Sequence, residues 1–236
     1  MPEQYDVVVI GAGPGGYVAA IRAAQLGQKT AIVDKQWLGG VCLNVGCIPS
    51  KALLKNAELA HTLRERSQEF GFSFDNLKLD FGAAVKRSRQ VSDRLVKGVG
   101  FLMKKNKIDV HMGTAHLTGP SSTTLRAVTV TGADGKATEL SAKNVIVATG
   151  ASSMVPPAWK VDGKKVLTYL EAIVQENLPT SVIIIGAGAV GVEFATVWNA
   201  YGAEVTIVEM LPGLLPMEDE EVGKELKKAF DKRGIK

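Results

Sequence analysis

The chain has only two cysteines, Cys42 and Cys47, and three histidines, His61, His111 and His116. Two thiols cannot make a disulfide scaffold. A close pair in a reducing compartment points instead to redox or metal chemistry. Tetrahedral zinc would need two further ligands, and the nearest histidine, His61, has no partner beside it in sequence, so no metal is expected. No apolar run approaches the roughly 18 residues of a membrane helix, which excludes a helical membrane protein. No signal peptide precedes the first apolar run, which begins at Tyr5. The expected address is cytoplasmic, or an organelle matrix after removal of a transit peptide. Charge of one sign is not concentrated either. The net charge of +4 is spread along the chain, and the densest basic runs are Lys104-Lys105-Asn106-Lys107 and Lys227-Lys228. No nucleic-acid motif accompanies them, so they read as solvated helix ends. With 46% hydrophobic and 22% charged residues the chain has the means to bury a core, and disorder is excluded.

The chain does contain one pattern written twice. Residues 5–16 read YDVVVIGAGPGG and residues 181–191 read SVIIIGAGAVG. Each is a β-type apolar run ending in Gly-x-Gly-x-x-Gly: Gly11, Gly13 and Gly16, then Gly186, Gly188 and Gly191. Each is followed by an Ala-rich helical stretch and a second apolar run closing on an acid, Asp34 or Glu209. From 11 to 186 and from 34 to 209 the offset is the same, 175 residues. The first glycine permits the tight turn, the second lets the backbone approach a pyrophosphate, and the third lets helix and strand pack closely. The helix amino terminus offers free N–H groups to phosphate, and the acid accepts hydrogen bonds from a ribose diol. A lone glycine motif is weak evidence, but the whole unit seen twice predicts two dinucleotide sites, hence two cofactors that exchange electrons. Glu209 would repel a 2′-phosphate and no Arg adjoins it, so the second site reads as NAD rather than NADP.

Between the units lies GGVCLNVGCIPSKALL at 39–54. On a regular helix, five positions would separate the cysteine Cα atoms by roughly 8.7 Å, beyond the about 7 Å a disulfide tolerates. A bonded pair therefore requires local distortion, for which Gly46 and Pro49 are suited. Spacing alone leaves two buried thiols in a Gly-rich loop as the alternative. The helix that follows could lower a thiol pKa. Residues 56–107 have a helical pattern, with apolar positions Phe81, Val85, Val91, Leu95, Val99 and Leu102 forming the expected face. Residues 108–115 read as a third strand and its loop, 124–142 as a β-meander turning at Gly132–Gly135, and 145–150 as a buried strand. The fold expected is α/β: a Rossmann-like, doubly wound, three-layer domain with a meander over 1–150, a connection with one short helix over 151–180, and the start of a second Rossmann-like domain over 181–236.

GGVCLNVGCIPSK between two dinucleotide units, with Ala148-Thr149-Gly150 after the meander, resembles the pyridine nucleotide–disulfide oxidoreductases over the whole chain. Within them it is most similar to the dihydrolipoamide dehydrogenases. The glutathione and trypanothione reductases typically carry CVNVGCVPKK, and Val41 stands here where Thr is often found. The resemblance implies that Cys42 is the interchange thiol and that Cys47 lies against the flavin. It implies that Lys51 approaches the flavin and that Glu193 pairs with it. It assigns Gly11, Gly13, Gly16, Asp34, Lys35, Gly40, Val41, Lys51, Ala115, Ala148, Thr149 and Gly150 to FAD. Gly186, Gly188, Val190, Gly191 and Glu209 go to NAD. Dihydrolipoamide, free or on the lipoyl domain of a 2-oxo acid dehydrogenase or glycine cleavage complex, would be the reductant and NAD⁺ the final acceptor.

The resemblance also implies a homodimer and roughly another full length of chain carrying a His–Glu base. None of the three histidines here matches that motif, and each reads as structural or surface. The 236 residues are thus expected to be incomplete alone and without turnover. Two readings compete. A mercuric reductase–like relative would share the disulfide and both nucleotide sites. The other is a noncatalytic flavin-binding or complex-tethering fragment, which detectable turnover by the chain would exclude.

Overall fold

The computed structural model describes residues 3–120, 122 and 124–236. The chain forms two compact units that interleave along the sequence. One comprises the chain to Ile48 together with Val91–Trp159, the other Pro49–Gln90 and Lys160–Lys236. Helices α3 (Cys47–Glu65) and α4 (Phe81–Lys105) each contribute to both.

The first unit holds β1 (Glu3–Ile10), α1 (Pro14–Gln25), β2 (Thr30–Asp34), α2 (Gly40–Val45), β3 (Asp109–Met112), β4 (Thr114–Pro120), β5 (Arg126–Thr131) and β6 (Ala137–Val147). They form a six-stranded sheet in the order β3-β2-β1-β6-β5-β4. The β3-β2-β1-β6 part is parallel, and β4-β5-β6 run antiparallel. Near-continuous apolar strands suit a parallel sheet covered on both faces. Side chains alternate accordingly. Val7, Val9 and Ile32 pack with Ala20 of α1 and with Val99 and Met103 of α4. Val8, Ala31 and Val33 pack on the other face with Val128, Val130 and Leu140 of the meander. Three layers result, with helices on one side and strands on the other. Each buried aliphatic contributes about 1.5–3 kcal/mol.

Three details depart from expectation. First, β3 ends at Met112 and β4 starts at Thr114, so Ala115 lies in a meander strand paired with Val130 rather than in a loop. Gly113 alone makes the join, where a Cβ would meet the carbonyl of Thr131. Second, the strand expected over 145–150 is the end of the longer β6, and it is not buried: Ile146 is 38% and Val147 62% exposed. The cover given by β5 stops at Ala142, which pairs with Arg126. Third, the buried stripe of α4 runs through Phe81, Ala84, Val85, Ser88, Ser92, Val99 and Met103, while Leu95 is exposed. Ser88 takes a covered position with its hydroxyl donating to the Val85 carbonyl at 2.7 Å, which satisfies the buried polar group.

The second unit contains most of α3, a 3₁₀ turn at Ser67–Phe70, the start of α4, and α5 (Tyr169–Ala172). It also contains β7 (Ser181–Ile185), α6 (Ala189–Tyr201), β8 (Glu204–Val208) and α7 (Glu220–Lys232). Helix α5 starts on a capping box in which Thr168 and Glu171 satisfy each other's backbone N–H groups. Strands β7 and β8 pair in parallel, with Ile185 opposite Val208. Helix α6 buries Ala195, Val197, Trp198 and Ala200. Among the described residues no helix is long and apolar enough to cross a membrane.

Candidate functional site

The two glycine turns have the same geometry. Gly11 has φ +104° and Gly186 φ +108°, the left-handed region open to glycine. A Cβ on Gly16 would fall on the carbonyl oxygen of Gly11, and one on Gly191 on that of Gly186. The middle glycines differ from each other. Gly13 lies under Gly40, whose own Cβ would come 2.5 Å from the Gly13 Cα, whereas nothing stands within 4 Å of a Cβ on Gly188. Both α1 and α6 start behind a glycine N-cap that supplies no side-chain hydrogen bond. Flat glycine floors beside bare helix starts fit a pyrophosphate in each unit. Val190, in the first turn of α6, is 57% exposed.

The two acids repeat as well. Ala12 N donates to Asp34 Oδ2 at 2.7 Å, and Ala187 N to Glu209 Oε2 at 2.8 Å, each across 22 residues. The other oxygen of each acid accepts two backbone N–H groups. Gln36 and Trp37 donate to Asp34 at 2.8 and 3.0 Å, and Met210 and Leu211 to Glu209 at 2.7 and 2.8 Å. An ionised carboxylate offers about four acceptor positions. Three are used in holding the glycine turn to the loop after the second strand, which leaves one for a ribose hydroxyl. The N–H of Ala187, then that of Leu211, hold Glu209 below the usual glutamate range.

Around the first turn, Ala148 N donates to Ile10 O at 2.7 Å. A Cβ on Gly11 would run into the Ala148 carbonyl, so this segment closes over the turn. Thr149 and Gly150 follow, both exposed, with Gly150 at φ +73°. Lys35 and Val41 are exposed, and Ala115 is half-buried.

The cysteines lie on either side of a helix break. Helix α2 ends at Gly46 (φ −130°, ψ −117°), and α3 begins at Cys47. The Cα atoms are 4.6 Å apart, and Cys42 and Cys47 form a disulfide. The distortion that the spacing demanded is therefore located at one residue. A Cβ on Gly46 would stand 3.0 Å from the Val41 oxygen and 3.2 Å from the Cys42 Cα. Asn44, between the cysteines, donates through Nδ2 to the carbonyls of Leu38 (3.1 Å) and Gly40 (2.9 Å). Gly39 N donates to Ala12 O at 2.8 Å, which ties the loop to the first glycine turn. Cys42 packs against the helix-side core, while Cys47 is exposed.

In the second unit, Lys51 Nζ donates to Glu193 Oε1 at 2.7 Å; the side chains are 62% and 28% exposed. Such a pair contributes less than about 1 kcal/mol, so its significance is positional. Two residues that no motif marks complete the surroundings. Arg64 Nη1 donates to the carbonyls of Ala200 (3.0 Å) and Asn199 (3.4 Å), and Arg87 to Asn56 Oδ1 (3.0 Å). Only the tertiary placement of the helices reveals them. Of the histidines, His111 contacts the Tyr5 hydroxyl at 3.2 Å and His116 is exposed on β4. His61 is held below its usual value, by burial first and then by Arg233. Among the described residues no group of three or more His, Cys, Asp or Glu could hold a metal ion.

Two Rossmann-type turns and a disulfide at a helix start define a dinucleotide-binding disulfide oxidoreductase as the class. The chain belongs to the pyridine nucleotide-disulphide oxidoreductase family, whose model matches residues 5–236. It is 51% identical over 232 residues to a dihydrolipoyl dehydrogenase of Mycobacterium leprae, covering 98% of this chain and 49% of that protein. It is 47% identical over 238 residues to the dihydrolipoyl dehydrogenase of Bacillus subtilis, covering 100% of this chain and 50% of that one. The crystal structure of LpdA from Mycobacterium tuberculosis superposes with a TM-score of 0.88 at 28% identity, covering 99% of this chain and 50% of that one. The chain thus spans about half the length of the curated relatives it matches.

Proposed function

We propose that this chain carries the redox disulfide, the FAD site and part of the NAD site of a dihydrolipoyl dehydrogenase. The observation that carries the reading is the Cys42–Cys47 disulfide across the break at Gly46, in a chain with two matched dinucleotide turns. A thiolate of dihydrolipoamide attacks Cys42 Sγ; the Cys42–Cys47 bond breaks and Cys47 leaves as a thiolate. The second substrate thiol then displaces Cys42, closing the lipoamide ring. The substrate loses two electrons and the protein disulfide gains them. When bound, FAD and NAD⁺ supply the hydride chemistry that returns the cysteines to the disulfide. Gly11, Gly13, Gly16, Asp34, Lys35, Gly40, Val41, Ala115, Ala148, Thr149 and Gly150 hold the flavin nucleotide. Gly186, Gly188, Val190, Gly191 and Glu209 hold the nicotinamide nucleotide. Lys51, paired with Glu193, places a positive charge one helical turn beyond Cys47. The partners that follow are the lipoyl domain of a 2-oxo acid dehydrogenase or glycine cleavage complex, and a second copy of the protein; the compartment expected is the cytoplasm, or the matrix if the chain comes from an organelle.

The visible spectrum of the purified chain, before and after one equivalent of dihydrolipoamide under nitrogen, tests this. A flavin spectrum that gains a long-wavelength band on reduction supports a thiolate beside the flavin. A flavin spectrum unchanged by dihydrolipoamide, with the disulfide intact by thiol titration, would sink the substrate assignment.

A further inference from the structure

Helices α3 and α6 are joined at two places in the second unit. Near their starts, Lys51 of α3 bonds Glu193 of α6 at 2.7 Å. Farther along, Arg64 in the last turn of α3 donates to the carbonyls of Ala200 and Asn199, which end α6. The ties are thirteen residues apart on α3 and seven apart on α6, about 20 Å and about 10 Å of helix. One tie would let α6 rotate or slide against α3, whereas two separated ties fix both motions. The second tie has independent chemical sense. The last carbonyls of a helix run short of intrahelical donors and carry the negative end of its dipole; Asn199 O also accepts from Gly202 N at 2.9 Å, so the guanidinium matters chiefly at Ala200 O. Gly202 stops α6 at φ +108°, and a Cβ there would sit 3.4 Å from Arg64 Nη1, so the guanidinium packs on the helix stop itself. Glu65 at 3.6 Å flanks the same guanidinium.

We propose that Arg64 is a positioning residue that, by capping the carboxyl end of α6, keeps Glu193 in register with Lys51. Its importance for turnover rests on the dihydrolipoyl dehydrogenase reading, in which α3 carries the redox thiol and α6 opens on the nucleotide turn. The register itself does not depend on that reading.

The test is acylation of lysines in the intact protein by acetic anhydride, mapped by mass spectrometry, with Lys107 as the internal reference. Acylation of Lys51 requires its amine to be free of Glu193. Glu193→Gln sets the scale for a broken pair: an exposed pair of this kind should raise Lys51 labelling about two- to five-fold. Arg64→Met should raise it to a similar extent with Lys107 unchanged, and Arg64→Lys, which can still reach a carbonyl, should restore most of the protection. Wild-type labelling of Lys51 in a folded R64M protein overturns the proposal. If R64M does not fold, Arg64→Gln, which keeps one amide donor, is read in its place with the same two outcomes. The dihydrolipoamide spectrum of the same wild-type sample separates the failures. A flavin spectrum unchanged by dihydrolipoamide, with the disulfide intact, sinks the functional reading while the labelling still decides the role of Arg64.

Discussion

Glycines that serve the same motif serve different ends, and substitution should separate them. The third glycines stand on the carbonyls of the first, so Gly16→Ala or Gly191→Ala must push strand and helix apart. We expect a loss of about 1–3 kcal/mol in denaturant unfolding. At Gly13 a Cβ would make an ordinary 3.9 Å contact with Gly40, and at Gly188 it would meet nothing. Gly13→Ala and Gly188→Ala should therefore fold nearly as well as the wild type. G13A should lose bound flavin and G188A should weaken nucleotide binding, as absorbance and calorimetry would read; an unfolded G188A would contradict the open space seen there. Glu209 makes a prediction in pH. Three backbone N–H groups stabilise its charged form, and its folded value lies below the usual 4.5. The sign follows from linkage: this contribution is complete above about pH 4.5 and fades as pH falls through the lowered value. Carbon NMR should show Glu209 titrating below the usual glutamate range, and Glu209→Gln should flatten the acid limb of the stability profile.

Among the elements, the junction between the short α2 and the longer α3 makes the disulfide possible. A continuous helix from 40 to 65 would hold the cysteine Cα atoms roughly 8.7 Å apart, and the break at Gly46 brings them to 4.6 Å. Gly46→Ala favours helix by about 1 kcal/mol and places a methyl against Val41 and Cys42. Thiol titration of the air-equilibrated variant should find a larger share of free Cys42 and Cys47 than in the wild type; an unchanged share would show that the break is set elsewhere. The need for a break was legible from the spacing of the cysteines and the glycine between them. The buried stripe of α4 was less so: it passes through Ser88 and Ser92 and leaves Leu95 exposed, so hydrophobicity alone misplaces it. The role of Ala115 as a paired meander residue was hidden for a similar reason, since a single glycine separates two strands that a sequence pattern merges.

For the whole molecule, the 175-residue repeat was the most legible feature, because each glycine and acid answers a backbone constraint that is local and occurs twice. The hydrogen bonds from Ala12 and Ala187 to their acids reproduce that repeat in three dimensions. The interleaving of the units was not legible, since contacts distant in sequence decide where α3 and α4 pack. Arg64 was equally hidden, because its carbonyl partners lie 135 and 136 residues away. The units also differ in how fully their sheets are covered. In the six-stranded sheet Val9 has no exposure, whereas in the two-stranded sheet Ile183 is 69%, Ile185 63% and Val208 50% exposed. Two strands alone are marginal in water, so β7 and β8 depend on the face that α6 covers, where Ala195 and Trp198 are buried. A charge on the open face should then cost little. Ile185→Lys should change the unfolding free energy by no more than about 0.5 kcal/mol and lower the binding of an apolar dye. Val9→Lys should prevent folding by burying an unpaired charge. A large destabilisation by I185K would show instead that the β7–β8 face is covered in solution, which dilution of the wild type and a sedimentation measurement would then trace to association of the chain with itself.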